Sequence, residues 1–160
     1  FDIDRGTDIL VRAITAASPK TILDIGCGYG PLGIILAKKY PSSKVLMVDR
    51  DLLAVRYANI NIEKNGITNV VAQGGLGTDT LTDKTFDLIV SNVPAKIGDE
   101  AIEKEFILDP LSLLNPGGEY WIVVVSMLNR LIPRVGERHK LNVKEVRRRK
   151  GHTVYRIKKP

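Results

Sequence analysis

The chain is poor in the residues that build disulfide-stapled or metal-held scaffolds. A single cysteine, Cys27, stands among 160 residues, so no internal disulfide can form and a multi-cysteine zinc site is excluded. The two histidines, His139 and His152, are expected to lie far from the acidic residues and show no metal-ligand spacing, so no metal is expected. No apolar run reaches the ~18–20 residues that cross a bilayer, and no signal-peptide pattern opens the chain. A reducing, cytoplasmic setting is the expectation that follows. Repeats, low-complexity tracts and Pro/Gly/Ser-rich linkers are lacking too, which makes residues 1–160 one domain of a size that a single core can serve. The first residue is Phe1 rather than Met, so part of the natural N-terminus is expected to be missing.

Negative charge is scarce in one region. Residues 130–160 carry twelve Lys/Arg against two acids, Glu137 and Glu145. The local balance is +10 within a net charge of +6, leaving −4 for the first 129 residues. Such asymmetry suits a polyanion-binding face, because Lys and Arg that neutralise phosphates release counterions. A solvated basic tail is the plainer alternative.

What the sequence does contain is a regular alternation of elements. Thr7 to Ala17 has apolar residues at helical spacing with Thr7 as its cap, and Ser18-Pro19 stops it. Lys20–Ile25, Lys44–Val48, Asn69–Ala72 and Phe86–Ser91 read as short apolar strands. Helices fill the gaps, from Pro31 to about Tyr40 and from Leu52 to Lys64, the first with proline where its missing N–H costs nothing. A further helix over residues 99–114 should be interrupted or restarted at Pro110. Asn115-Pro116-Gly117-Gly118 is a turn before Tyr120–Val125, the most β-prone run. Val143–Arg149 and Thr153–Ile157 form a closing antiparallel hairpin. Alternating strands and helices imply an α/β, doubly wound, mostly parallel seven-stranded sheet.

Ligands of such sheets bind at the carboxyl ends of the strands, where Gly26–Gly30, Asp49, Gly74–Leu76 and Asn92–Ala95 all fall. Gly26-Cys27-Gly28-Tyr29-Gly30 lets the backbone turn sharply and approach a ligand, and the helix start after it should offer free N–H groups to a carboxylate or phosphate. Gly28 to Gly33 also satisfies the G-x-G-x-x-G dinucleotide pattern, with Asp49 placed to hold a ribose. Asp24 argues against a diphosphate, which it would repel, and for a cationic amino group. Asn92-Val93-Pro94 is a turn for which hydride transfer has no use. Cys27 reads as a small side chain in the turn.

Asp24–Gly30 resembles motif I of class I S-adenosylmethionine-dependent methyltransferases, and Asp49 resembles their acid at the end of the second strand. The head segment Phe1-x-x-Asp4-x-Gly6-Thr7 and the run Phe86–Asn92 are similar to small-subunit ribosomal RNA guanine-N2 methyltransferases and their single-domain relatives. The resemblance covers nearly the whole chain. It implies a Rossmann-like methyltransferase fold with S-adenosylmethionine as cofactor, held by Asp24, Gly26, Cys27, Gly28, Gly30, Asp49, Arg50, Gly75, Leu76 and Asn92. It implies catalysis at Asn92, Val93 and Pro94, with Asn92 Oδ1 and the Val93 carbonyl accepting from an exocyclic amine of RNA. Arg147, Arg149 and Lys150 are the expected RNA contacts.

Two departures from the family pattern stand out. Val93-Pro94-Ala95 replaces Pro-Pro and a large residue, so Ala95 cannot stack a base. Gly75 stands where an acid often reaches the adenine, leaving that to backbone, Leu76 or Asp79. A methyltransferase for protein glutamine or a small molecule, an NAD-dependent oxidoreductase, and a non-catalytic RNA-binding module on the same fold are the other readings open to the sequence.

Overall fold

Asp4 sets the entry of the chain in this computed structural model, which describes residues 3–159; Phe1 of the head segment lies outside them. The Asp4 carboxylate accepts from the Thr7 N–H at 3.2 Å and caps α1 (Arg5–Ala13). Sequence spacing places this helix at Thr7–Ala17 with Thr7 as cap. The structure puts the cap three residues earlier, where the stronger capping residue stands, and ends the helix at Ala13 because Ile14 is already extended and buried.

Strands β1 (Thr21–Ile25), β2 (Lys44–Asp49), β3 (Val70–Gly74), β4 (Phe86–Asn92) and β5 (Leu114–Val125) alternate with helices that include α2 (Pro31–Lys39) and α3 (Leu52–Lys64). The hairpin β6 (Asn142–Arg149) and β7 (His152–Lys158) closes the chain. The sheet order is β3-β2-β1-β4-β5-β7-β6, and β7 alone runs against the rest. This is the seven-stranded, mostly parallel sheet that the alternation predicts. Buried side chains alternate between two layers: Ile22, Met47, Val90, Trp121 and Val154 face α1 and α2, while Leu23, Val48, Ile89, Tyr120 and Tyr155 face the other way.

Three local departures follow from packing that periodicity cannot see. Residues 99–111 form one helical run, α4 (Asp99–Ala101), a π-helix (Ile102–Leu108) and α5 (Asp109–Leu111). Pro110 lies in the first turn of α5 and breaks nothing, because a proline there needs no N–H partner. β5 begins at Leu114, so the Asn115–Gly118 turn is an irregularity within the strand, marked by a register shift between Phe86 and Leu88. Finally, α6 (Leu131–Arg138) occupies part of the segment read as a basic tail and buries Leu131, Ile132 and Val135. Pro133 and Gly136 lower its intrinsic helix propensity; burial of its apolar face overrides that.

Candidate active site

The parallel strands finish at one edge of the sheet, and the residues just past them line a cleft of about 700 Å³ of atom-free space, open to solvent. Its lining includes Gly26 after β1, Asp49 and Arg50 at β2, Gly75 and Gly77 after β3, Asn92 and Pro94 at β4, and Ile97, Glu105 and Phe106 beyond.

The turn after β1 is held by its own neighbours. Gly26 and Cys27 N–H groups both donate to the Val48 carbonyl, at 2.9 and 3.1 Å, and Gly30 N–H donates to the Cys27 carbonyl at 3.0 Å. Gly28 N–H donates to Asp49 Oδ2 at 2.8 Å. The free N–H groups that the helix start was expected to offer are therefore largely committed. A diphosphate would find few donors here and a carboxylate nearby, which disfavours the dinucleotide alternative. Gly33 serves packing: a Cβ there would fall 2.2 Å from Met47 Sδ, so only glycine lets α2 lie this close to β2.

Asp24, expected to hold a cationic amino group, supports the turn from beneath. It is 1% exposed and accepts from Gly33 N–H at 3.1 Å. Burial raises its pKa from 3.8 to about 8; the Gly33 hydrogen bond opposes this and the Asp49 charge adds to it. It does not line the cleft. Cys27, Gly28 and Gly30 are not among the residues lining the cleft, and burial pushes the Cys27 thiol up, so the small-side-chain reading of Cys27 fits.

Asp49 accepts once on each oxygen, from Gly28 and from Asp51 N–H at 2.9 Å. A carboxylate oxygen offers two lone pairs, so one acceptor position per oxygen remains for a diol. The cap of α3 is Asp51, which accepts from Leu53 and Ala54, so Asp49 is not needed there. A side chain at Gly75 would be crowded: its Cβ would meet Thr80 Oγ1 at 3.0 Å and Val48 Cγ1 at 3.1 Å, and both neighbours would have to give way. Leu76 and Asp79 line an adjoining recess that shares Arg50, Gly77 and Glu105 with the cleft.

Asn92 ends β4 at the cleft wall. Its side-chain Nδ2 donates to Asp4 Oδ2 at 2.7 Å and to Thr7 Oγ1 at 3.2 Å. Both N–H bonds of the amide are thus occupied, and Oδ1 is the atom left to accept. Val93 sends its N–H to the Val123 carbonyl at 3.0 Å and buries its side chain in the core. A proline could not make that bond, which gives the departure at position 93 a structural reason.

Sequence reasoning missed Phe106, Ile97 and Glu105. The Phe106 ring lies over Gly26, 3.3 Å from where a Cβ would stand, and Tyr120 fixes this arrangement by donating its hydroxyl to the Phe106 carbonyl at 2.6 Å. Apolar residues at helical spacing signal a core face; the π turns change that phase, and such turns are frequent at functional sites. His139 corrects another expectation: Glu103, far off in sequence, lies 2.7 Å from its Nε2 and also pairs with Arg138.

The hairpin turn shares the cleft's end of the sheet, since His152 pairs with Val125 at the end of β5 and with Arg149. The His152 ring packs on Gly6, where a Cβ would fall 3.0 Å from its Cδ2. A register shift between Glu145 and Arg147 makes Val146 a bulge. Arg147 pairs with Val154, which faces α1, and Arg149 shares that face with His152. Arg148 lies on the other face, 2.6 Å from Glu145. Arg147 and Arg149 thus share a face, as strand alternation predicts, with Lys150 in the turn. Among the described residues no helix is long and apolar enough to cross a membrane, and no group of three or more His, Cys, Asp or Glu could hold a metal ion.

Comparison with known proteins matches residues 1–156 to the model of the methyltransferase small domain. The chain is 31% identical to YbxB of Bacillus subtilis, an uncharacterized protein, over 99% of this chain and 80% of that one. It is 33% identical to ribosomal RNA small subunit methyltransferase C of Hahella chejuensis, over 82% of this chain and 37% of the relative. The matched enzymes of that name are longer proteins, of which the chain spans 37–41%. Among solved structures, the Thermus thermophilus 16S rRNA N2 G1207 methyltransferase, in complex with AdoMet and guanosine, superposes with a TM-score of 0.85 at 23% identity, over 99% of this chain and 44% of that one. A methyltransferase from Pyrococcus furiosus superposes at 0.80 with 25% identity, over 95% and 80%.

Proposed function

The chain belongs to the methyltransferase small domain family, an S-adenosylmethionine-dependent enzyme family, and from that premise we propose that it methylates an exocyclic amine of RNA, guanine N2 in small-subunit ribosomal RNA. The observation that carries this reading is Asn92. Its amide sits in the cleft wall with both N–H bonds occupied by Asp4 and Thr7, so the cleft meets an oxygen acceptor.

The cofactor supplies, when bound, a methyl group made electrophilic by its sulfonium. The cleft suits such a ligand: Asp49 keeps acceptor capacity for two hydroxyls, Gly26 leaves backbone exposed beneath the Phe106 ring, and Gly75 and Gly77 open space beside Arg50. Leu76 and Asp79, in the adjoining recess, are placed to border the adenine.

An exocyclic base amine is a poor nucleophile, because its lone pair is delocalised into the ring. Asn92 Oδ1 and the Val93 carbonyl would accept its two N–H bonds, favour a pyramidal nitrogen and stabilise the positive charge that develops on it. Pro94 fixes the turn that carries both acceptors. Ala95 offers no ring to a base, and Phe106 and Ile97 supply the apolar surface instead. The proton on the methylated nitrogen is acidic and can pass to water. Arg147, Arg149 and Lys150 would hold phosphates and set orientation, while the Asn92 pocket selects the base.

Asn92→Ala tests the reading. Turnover should fall by roughly 100-fold, in the range for removing one pre-placed polar group, with calorimetric affinity for S-adenosylhomocysteine falling far less. Parallel loss of turnover and affinity would make Asn92 a structural residue.

A further inference from the structure

We propose that Asp4 and Thr7 are positioning residues that orient the Asn92 amide so that its oxygen, not its nitrogen, faces the substrate. The inference rests on the role given to Asn92 above and assigns the head of the chain a part in that site. An asparagine amide is pseudo-symmetric, and a half-turn about χ2 exchanges an acceptor for a donor. Presented the wrong way round, Asn92 would direct N–H bonds at an amine, which itself has only donors to offer. Something must therefore hold the amide against that rotation.

The head segment does so with two acceptors. Asp4 Oδ2 is 2.7 Å from Asn92 Nδ2, and Thr7 Oγ1 is 3.2 Å from the same nitrogen. A carboxylate can only accept while ionised, so the Asp4 contact admits one orientation of the amide. The two acceptors are themselves tied together, because the same Asp4 oxygen takes the Thr7 N–H. Thr7 is 2% exposed, which fixes its hydroxyl. His152 braces the turn between them, and Gly6 is what lets that ring approach. The clamp thus joins α1, the end of β4 and the hairpin turn at one point, 88 residues apart in sequence for the Asp4–Asn92 pair.

Thr7 gives the cleanest test, since the two conservative replacements divide its parts. Thr7→Val keeps shape and loses the hydroxyl; Thr7→Ser keeps the hydroxyl and loses a buried methyl. At Asp4, serine caps a helix about as well as aspartate but is a carbon shorter, so Asp4→Ser separates capping from the reach to Asn92. The expected result is that kcat on transcribed small-subunit ribosomal RNA falls roughly tenfold in Thr7→Val, at the upper end for a neutral hydrogen bond, and at least roughly tenfold in Asp4→Ser, where the lost partner is charged. Thr7→Ser should stay within about twofold of the wild type, with affinity for S-adenosylhomocysteine the same in all. A melting-temperature loss that orders the variants by missing packing, with Thr7→Ser the worst and kcat following it, would overturn the proposal. If the wild type methylates no RNA, the reading of function fails, yet the clamp is still tested by NMR. The Asn92 side-chain amide signals, identified by their absence in Asn92→Ala, should be protected from solvent exchange in the wild type and Thr7→Ser and lose protection in Thr7→Val and Asp4→Ser. Equal protection in all four proteins would overturn it.

Discussion

Two carboxyls stand at the heart of the glycine turn, and burial divides their work. Asp49 remains at the cleft, whereas Asp24 is sealed beneath the turn with its pKa raised from 3.8 to about 8. Folding therefore takes up a proton at Asp24 wherever pH lies between those values. Its contribution to stability is fully present below the unfolded value and is lost as pH rises through the folded one. Between about pH 4 and pH 8 this one group lowers stability as pH rises, after which the effect levels off. Asp24→Asn keeps an acceptor for Gly33 and should be less pH-dependent across that window, measured by urea unfolding at several pH values. Identical slopes for wild type and variant would contradict the assignment. At this scale the sequence is readable where chemistry is local: acids at strand ends, glycines where backbones meet, Asn92 in its turn. It is not readable for the burial of Asp24, whose carboxyl accepts from Gly33, nine residues on.

Among the elements, the β6–β7 hairpin carries the clearest consequence. β6 is an edge strand, and charged residues with a bulge there guard against edge-to-edge pairing. That need is met by charge of either sign, whereas the strand presents arginines on the α1 face and its turn lies at the cleft end. Replacing Arg147, Arg149 and Lys150 with Gln should weaken RNA binding across sequences. The slope of log affinity against log salt should become shallower by roughly 0.7–0.9 for each phosphate that the variant no longer neutralises. Affinity for S-adenosylhomocysteine should not change. Filter binding over a salt series checks this, and an unchanged slope would reduce the hairpin to edge protection. The π-helix shows the opposite case in legibility. Nothing in the spacing of Ile102, Phe106 and Ile107 tells of wide turns; the structure shows Tyr120, from the next strand, holding the Phe106 carbonyl.

In the molecule as a whole, the doubly wound, mostly parallel character of the sheet was legible from the alternation of apolar runs and helices, because the central strands β1, β2 and β4 bury both faces; the strand order was not. Helix ends and α6 were not, since a cap such as Asp4 is recognised only by the N–H it meets and α6 by the core it covers. The same distinction separates cofactor site from substrate site. Motifs at strand ends mark the first, while the second depends on contacts between the head, β4, the π-helix and the hairpin. In the proposed function these parts meet in methyl transfer to RNA. The most direct measurement incubates the protein with transcribed, unmethylated small-subunit ribosomal RNA and S-adenosylmethionine labelled in its methyl group, then digests the RNA to nucleosides. The predicted result is label in N2-methylguanosine, reduced roughly 100-fold by Asn92→Ala; no label in RNA, or label in another nucleoside, would contradict it.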